Sequence, residues 1–298
     1  MKKRAARGAD PLIGKLVIFG VGLIGGSFAL ALKKYHAVGR VVGVGRSRAN
    51  LLTARRRGII DEIAGDAATA VKDADLVLLA VPLGQMAGVL ARIAPHLEAH
   101  TIVTDTGSTK QDVIAVARRY LGGNFRNFVP AHPIAGTENS GASAAFAGLF
   151  AGKTLVVTPQ AATKRRPLRM VTTAWKLCGM SVVNMTAAEH DRVFALVSHL
   201  PHLISFALVG QLAKQKDARM LFARSGGGLR DMSRIAASSP EMWRDISFAN
   251  RKAVLAALKG YVREIEDLRR AIEKNGRARL ERRLAIASAA RRKWLPSG

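Results

Sequence analysis

Residues 15–34, KLVIFGVGLIGGSFALALKK, decide the fold. The run opens with four apolar residues at 16–19, which predict a strand buried on both faces of a sheet. Glycines with the spacing G-x-G-x-x-G follow, and an Ala/Leu-rich helix comes after them. In such a turn the first glycine permits a tight bend, the second lets a pyrophosphate approach the backbone, and the third lets the helix pack on the strand. The predicted cofactor-binding residues of the turn are Gly20, Gly22, Leu23, Ile24 and Gly25.

A signal peptide or a membrane-spanning helix is the main alternative for this stretch. Residues 16–32 carry no charge and follow a basic start, and residues 29–31 resemble a cleavage site. Four glycines within the run would make a poor spanning helix, however. The residues that follow also complete a nucleotide-binding fold, which a removable leader would not explain. We therefore predict a dinucleotide-binding turn and no membrane partner.

Composition indicates a globular protein of two domains. The chain has 298 residues, of which 49% are hydrophobic. A formal net charge of +26 is compatible with a nucleic-acid or anionic-membrane partner. The basic residues are scattered, though, so we expect a solvated basic surface and no specific nucleic-acid partner. The single cysteine, Cys178, excludes an internal disulfide, suits a reducing cytoplasm, and is expected to be a core residue.

Strand and helix patterns alternate along the first part of the chain. A continuous apolar run at 76–81 predicts another buried strand and residues 101–105 a further strand, so this part is α/β with a doubly wound parallel sheet. Ligands of such sheets bind at the carboxyl ends of the strands, where the sequence has Val81, Pro82 and Ser108. Residues 106–109 can also cap the next helix. Residues 153–158 and 181–184 are predicted to be closing strands.

The end of the second strand, residues 40–45, bears on the choice of nicotinamide cofactor. NAD sites usually have Asp or Glu there, which accepts hydrogen bonds from the adenosine ribose 2′-hydroxyl. This sequence has Gly45, followed by Arg46, Ser47 and Arg48. Two guanidiniums and a hydroxyl group can bind a 2′-phosphate, which a carboxylate would repel. The pattern therefore favours NADP, with NAD possible; a basic surface turn is the alternative interpretation.

The remaining chain is predicted to be helical. Helix patterns cover 187–216, 241–259 and 261–292, and the first is interrupted or restarted near Pro201. We therefore predict a dinucleotide-binding domain at 1–186 and a helical substrate-binding and dimerisation domain at 187–298. This helical part is too short to bury all its apolar faces alone, which predicts a homodimer.

Histidines and arginines supply the candidate polar residues. His132 lies between Pro130 and Pro133, in a predicted loop after a short apolar strand, so its ring would be rigidly presented; a structural role is the alternative. His199 and His202 lack a clear third ligand, so no metal site is predicted. The arginines after the triple glycine at 226–228 are well placed to recognise a carboxylate.

The chain resembles the prephenate/arogenate dehydrogenase family of tyrosine biosynthesis from about residue 15 to residue 259. The resemblance is carried by GVGLIGGS (20–27), TDTGSTK (104–110), HPIAGTENSG (132–141), SHLPH (198–202) and GGGLRDMSRIAASSPEMWRDI (226–246). It implies a Rossmann-like domain followed by a helical domain that dimerises, with the active site in the cleft between them. It departs at Leu229 and Ser233, where an aromatic residue and threonine are expected, and at Gly45-Arg46 relative to NAD-type members.

The resemblance also implies roles for individual residues. His132 would be catalytic, Ser108 would contact the substrate hydroxyl, and His202 and Arg234 would bind substrate. Glu138 and Arg230 have positions suited to a polar network at the cleft entrance. The implied reaction is oxidative decarboxylation of prephenate or arogenate, and the sequence does not decide between the two.

Two other function classes stay open at this point. A β-hydroxyacid dehydrogenase has a similar two-domain design but is expected to use a lysine from the helical domain, and no such lysine motif is found. A basic nucleotide-sensing or nucleic-acid-binding regulator would show salt-sensitive binding to DNA.

Overall fold

The computed structural model describes residues 10–137 and 139–294 of the chain. These form two compact units, one ending at Asn250 and the other beginning at Arg251. The predicted site residues all lie in the first unit, except that Glu138 falls outside the described residues.

A six-stranded parallel sheet forms the centre of the first unit. Its strands are β1 (Ile13–Phe19), β2 (Val38–Val44), β3 (Glu62–Ile63), β4 (Leu76–Leu79), β5 (Ile102–Asp105) and β6 (Phe128–Val129). Their order is β3-β2-β1-β4-β5-β6, with every neighbouring pair parallel. This order is that of a doubly wound dinucleotide-binding sheet, whose switch point lies between β1 and β4. The predicted fold class is confirmed.

Helices connect successive strands of this sheet and cover both of its faces. They are α1 (Leu23–Lys34), α2 (Arg48–Arg56), α3 (Ala67–Val71), α4 (Leu83–Ile93) and α5 (Gln111–Leu121). Leu16 and Ile18 of β1 pack in the same cluster as α1, whereas Val17 and Phe19 pack in the cluster that contains α4 and α5. Burial on both faces explains why β1 is apolar without alternation. The run 16–32 is thus a strand, a turn and a helix, not a membrane span or leader.

A second, three-stranded sheet replaces the closing strands that were predicted for the main sheet. It consists of β7 (Ala131–Ile134), β8 (Thr154–Val157) and β9 (Ser181–Asn184), with α6 (Arg165–Leu177) before β9. Because β7 runs antiparallel to β8, these strands do not extend the parallel sheet. The predicted loop around His132 is therefore wrong: His132 lies in β7. Pro133 is tolerated there because β7 is an edge strand.

Helices follow β9 to the end of the first unit. They are α7 (Ala187–Phe194), α8 (Leu200–Ala213), α9 (Ala218–Ala223), α10 (Gly227–Ser233) and α11 (Pro240–Ala249). A π-helical segment, Ala195–His199, joins α7 to α8, and Pro201 follows it as the second residue of α8. The predicted restart near Pro201 is therefore a change of helix type, not a break.

The run Ala187–Ala213 is the one helix among the described residues that is long and apolar enough to cross a membrane by length and composition. An 18-residue window of this helix has a mean hydropathy of 1.8, and 22% of that window is buried within the single chain. Length and composition are weak signals, because core helices of water-soluble proteins pass the same test.

The second unit consists of two helices, α12 (Arg251–Glu273) and α13 (Arg277–Trp294). The predicted break at Gly260 is wrong, since α12 continues through it. The chain turns instead at Asn275, whose φ of 50° is left-handed. Arg283 of α13 pairs with Glu264 and Asp267 of α12 and holds the two helices together.

Cys178 is buried at the end of α6, as the core interpretation predicted. Burial raises the pKa of its thiol to about 12, so it is not a thiolate near neutral pH.

Candidate active site

The glycine turn between β1 and α1 has the geometry of a pyrophosphate cradle. At Gly20, where φ is +91°, a Cβ atom would lie 2.3 Å from the carbonyl oxygen of Ala80. At Gly25 a Cβ would lie 2.6 Å from the Gly20 oxygen. At Gly22 it would meet nothing within 4 Å, which leaves open space above the backbone. The outer glycines are thus required by packing, and the middle one leaves room for a ligand.

The first turn of α1 offers donors to that space. Gly22 is the N-cap and makes no side-chain cap bond, and the first turn contains no acidic residue. Leu23 and Ile24, which follow it, are half-buried. A helix N-terminus of this kind attracts a phosphate through its free N–H groups and its partial positive charge. The residues present therefore fit a dinucleotide.

The predicted 2′-phosphate residues lie on the surface at the end of β2. Gly20 donates from its backbone N to the Val44 oxygen at 2.9 Å, so this strand end lies against the glycine turn. Arg46, Ser47 and Arg48 are exposed. Ser47 is the N-cap of α2, because its Oγ accepts a hydrogen bond from Asn50 N at 3.2 Å. That bond leaves the hydroxyl proton free to donate to an anion.

Val81 and Pro82 lie where β4 ends beside β1. A Cβ on Gly20 would be 3.1 Å from Val81 N, so this segment contacts the glycine turn. Both residues are half-buried, and Pro82 is the N-cap of α4. The structure brings these two predicted residues to the switch point.

His132 belongs to a chain of three buried polar side chains. Its Nδ1 lies 2.8 Å from Nε2 of His190, and Nδ1 of His190 lies 2.8 Å from Oδ1 of Asp191. Phe194 packs against both imidazole rings, with centroids 4.9 and 4.5 Å away. Burial holds the pKa of His132 well below 6.5, and the neighbouring His190 and Lys110 add to this shift. The imidazole is therefore neutral at physiological pH and can accept a proton.

Asp191 also caps α5. Its carboxylate accepts hydrogen bonds from Lys110 N at 2.8 Å and from Gln111 N at 3.0 Å. Sequence reasoning assigned that cap to residues 106–109, and this is wrong: no side chain of the preceding segment caps the helix. A carboxylate from α7 satisfies the free N–H groups instead, and its charge suits the positive end of the helix.

A buried ion pair fixes the backbone next to His132. Lys110 and Asp105 are fully buried and paired with each other. Lys110 Nζ donates to the Ala131 oxygen at 2.8 Å, and Asp105 Oδ1 accepts from Ala131 N at 3.0 Å. Asp105 at the end of β5 and Lys110 at the N-cap of α5 therefore bind both backbone polar groups of the residue that precedes His132. Removing either partner would leave a buried charge unpaired.

A second group of side chains surrounds His202. Its ring stacks on Trp243 with centroids 3.7 Å apart, and its Nδ1 lies 2.9 Å from the Ser198 oxygen. Burial lowers the pKa of His202, the Ser198 contact opposes this shift, and the charge of Arg234 adds to it. The short 3₁₀ segment Arg234–Ala237 packs against α8, which carries His202. His202 is thus a neutral, half-buried group beside a cation.

His199 links the two groups. Its Nδ1 lies 3.3 Å from Nδ2 of Asn250, which donates to the backbone oxygen of Asp191 at 2.7 Å. Burial lowers the pKa of His199 to about 4, and the nearby backbone of Ser108 opposes this shift. The ring of Trp243 lies 6.0 Å from that of His199. A continuous set of contacts therefore connects His132 with the surroundings of Ser108 and His202.

Two predicted residues are not tied into this set. Arg230 lies on α10, exposed, and makes no side-chain hydrogen bond within the described part of the chain. Glu138 lies outside the described residues. Sequence reasoning missed His190, Asp191 and Trp243. His190 and Asp191 are adjacent polar residues in a helical segment with an apolar face. They could have indicated a polar cluster, because polar residues buried on a core face need hydrogen-bond partners.

No cluster of three or more His, Cys, Asp or Glu side chains suited to a metal ion occurs in residues 10–137 and 139–294. The polar groups described above are instead held by one another.

Comparison with known proteins gives the same family over most of the chain. Residues 28–184 match the family model for the nucleotide-binding domain of prephenate dehydrogenase, and residues 186–286 match that for its dimerization domain. Cyclohexadienyl dehydrogenase of Zymomonas mobilis is 38% identical over 259 residues, which cover 86% of this chain and 88% of that protein. Prephenate dehydrogenase of Bacillus subtilis is 36% identical over 260 residues, 87% of this chain and 70% of that protein.

Similarity to solved structures indicates the same family. Prephenate dehydrogenase from A. aeolicus, in complex with hydroxyphenyl propionate and NAD+, superposes with a TM-score of 0.87 at 32% identity, over 97% of this chain and 99% of that chain. Arogenate dehydrogenase of Synechocystis has a TM-score of 0.77 at 29% identity, over 94% and 100% of the two chains. The resemblance found in the sequence motifs is thereby confirmed, and the chain belongs to the prephenate dehydrogenase family.

Proposed function

We propose that this protein is an NAD(P)-dependent oxidoreductase that oxidatively decarboxylates prephenate, arogenate or both in tyrosine biosynthesis. The single observation that carries the proposal is a buried imidazole, His132, whose lowered pKa keeps it neutral as a proton acceptor. It occurs in a chain whose glycine turn fits a dinucleotide and whose family relatives are dehydrogenases of this class. A cytoplasmic location is part of the proposal.

The chemistry divides among few residues. Each substrate is a cyclohexadienol with a ring carboxylate. His132 accepts the hydroxyl proton while the carbinol carbon loses hydride, for which bound NAD(P) is the acceptor. The resulting dienone loses its ring carboxylate as carbon dioxide, and the ring becomes aromatic. Aromatisation supplies much of the driving force, so the protein chiefly needs one base and a fixed substrate orientation.

We assign the remaining candidate residues to orientation. Ser108 contacts the reacting hydroxyl group, and Arg234, beside His202, binds a substrate carboxylate through its guanidinium. Arg230 and Glu138 form a polar network at the entrance. Support for the carboxylate role is that Arg234 is exposed, on a short segment that packs against the helix of His202.

A steady-state assay tests the proposal. The purified chain is mixed with prephenate or arogenate and with NAD+ or NADP+, and the absorbance of the reduced nicotinamide is followed. We expect turnover with at least one substrate and formation of 4-hydroxyphenylpyruvate or tyrosine. Absence of reduction with both substrates, alongside oxidation of a β-hydroxyacid, would replace the proposal with the β-hydroxyacid dehydrogenase alternative.

The cofactor preference gives a first prediction. We infer from Gly45, Arg46 and Arg48 that NADP is preferred, and that Gly45→Asp reverses or abolishes the preference. A charge-assisted contact to the 2′-phosphate is worth about 1.5–3 kcal/mol, roughly 10- to 100-fold in kcat/KM. The ratio of kcat/KM for the two cofactors measures it.

Gly45→Ala is the matched control for the added carboxylate. A Cβ at this position would lie 3.5 Å from Leu51 Cδ2, an ordinary contact, so both variants should fold. The alanine variant should keep the wild-type preference. A wild-type enzyme clearly faster with NAD would contradict the assignment of these arginines.

The assembly gives a second prediction. We propose a homodimer formed mainly by residues after Thr186. Support comes from the apolar run Ala187–Ala213, which is largely unburied in one chain, and from Leu196 and Val197, which are 48% and 64% exposed. Sedimentation at micromolar concentration should give twice the 31.9 kDa mass of one chain. A monomer under those conditions would rule the dimer out.

A further inference from the structure

We propose that His190 and Asp191 are positioning residues that fix the tautomer of His132. In this arrangement the proton is held on His132 Nδ1, and the Nε2 lone pair is left to act as the base. The inference rests on the proposed function, in which His132 accepts the substrate proton. It follows from the direction of each hydrogen bond along the chain from Asp191 to His132.

Asp191 sets that direction because its carboxylate can only be an acceptor. Backbone N–H groups of Lys110 and Gln111 donate to its two oxygens, and Gln111 Nε2 donates at 3.2 Å. Burial acts to raise the pKa of Asp191, but hydrogen bonds from His190, Gln111 and Lys110 outweigh it and lower that pKa. The carboxylate is therefore ionised, and Nδ1 of His190 must carry the proton shared at 2.8 Å.

The tautomer of His190 in turn determines which atom donates in its hydrogen bond with His132. Burial lowers the pKa of His190 despite its hydrogen bond to Asp191, so the ring is neutral. A neutral imidazole with its proton on Nδ1 has a lone pair on Nε2. That atom lies 2.8 Å from Nδ1 of His132, which must therefore donate. The tautomer of a histidine is set in this way by the hydrogen bond that its other nitrogen makes.

Packing shows that the arrangement is held. His190 is fully buried, His132 is 9% exposed, and Phe194 covers both rings. Two backbone N–H groups at the N-terminus of α5, those of Lys110 and Gln111, hold the Asp191 carboxylate in this orientation. Burying three polar side chains costs free energy that an apolar residue at position 190 would avoid. A role in orienting His132 accounts for that cost.

Histidine NMR tests the tautomer without any substrate. The protein is labelled with ¹⁵N in its histidine rings, and correlations between ring nitrogens and carbon-bound protons are recorded near neutral pH. Signals of His132 are assigned from their absence in His132→Asn. We expect neutral His132 with its proton on Nδ1. The exposed His96 supplies a control, since His96→Gln should leave the His132 signals unchanged.

Two variants of His190 separate positioning from packing. His190→Leu fills the space but offers no acceptor, so His132 should populate the Nε2–H tautomer. We expect kcat to fall by about 10- to 100-fold with KM nearly unchanged, as when the partner that orients a metal-bound imidazole is removed. His190→Gln retains an acceptor oxygen and a donor amide, and should recover the Nδ1–H tautomer and part of the lost kcat.

Two results would overturn the inference: a wild-type His132 protonated on Nε2, or unchanged tautomer and kcat in His190→Leu. If His190→Leu does not fold, the wild-type spectrum and the glutamine variant still decide. If the wild-type tautomer is as expected but neither prephenate nor arogenate is oxidised, the proposed function fails and the tautomer assignment stands.

Discussion

We expect His132→Asn to lower kcat by about 10²–10⁴-fold, the usual contribution of a general base, and to leave substrate binding nearly intact. Asparagine still offers an amide N–H in the direction of His190, so the buried contact is retained while the proton acceptor is lost. Steady-state kinetics on soluble, folded variant protein measure the effect. His96→Gln, at an exposed histidine outside the site, is the control and should behave as wild type.

The pH profile makes this prediction sharper. Only the neutral imidazole accepts a proton, so activity falls as pH drops through the pKa of His132. Burial holds that pKa well below 6.5, and therefore the acid limb of kcat/KM, which reports the free enzyme, should lie below pH 6.5. His132→Asn should lose this limb.

Retention of near-normal kcat by His132→Asn, with an unchanged acid limb, would show that another group is the base. His199 would then be the next candidate, because its pKa of about 4 also keeps it neutral.

Local patterns were sufficient for the parts of the fold that depend on neighbouring residues. The strand, glycine turn and helix at 15–34 lie within one stretch, and each glycine is explained by a contact or a space at its own position. Burial of β1 on two faces is visible in its uninterrupted apolar residues. The alternation of strands and helices then predicts that the sheet is parallel and covered on both faces.

The second sheet could not be predicted in this way. β7 pairs with β8 across a connection of about twenty residues, and nothing in either sequence states the direction of pairing. The prolines around His132 indicated a loop, because proline usually interrupts a sheet. Its place on an edge strand depends on which strands pair, and that is a property of the tertiary fold.

The same distinction between local sequence and tertiary fold applies to the residues of the candidate site. His132 was found from its own surroundings in the sequence, whereas His190 is 58 residues away and its importance lies in a hydrogen bond between them. The cap of α5 illustrates the same point: Ser and Thr precede the helix in the sequence, yet Asp191 makes the bonds. The side chain that caps α5 is therefore decided by the packing of α7 against α5.

Arg234→Ala should raise KM by about 30- to 4,000-fold, with a smaller effect on kcat. Arg234 is proposed to hold a carboxylate that is present before and during hydride loss, so removing it weakens ground state and transition state alike. Leaving a desolvated carboxylate unpaired costs about 2–5 kcal/mol, which gives the range above. Arg234→Lys keeps the positive charge but loses the planar guanidinium group, so its KM should lie between those of the wild type and of Arg234→Ala.

The exposed Arg219 on α9 provides a matched control, since Arg219→Ala removes the same positive charge from the same unit at a position without a proposed role. Its KM should stay near that of the wild type, which separates a specific contact from attraction of an anionic substrate by the net charge of +26. The acid limb assigned to His132 should survive in Arg234→Ala, because the base is untouched. An Arg234→Ala variant with normal KM, or one that loses the acid limb, would show that Arg234 does not bind the substrate carboxylate as proposed.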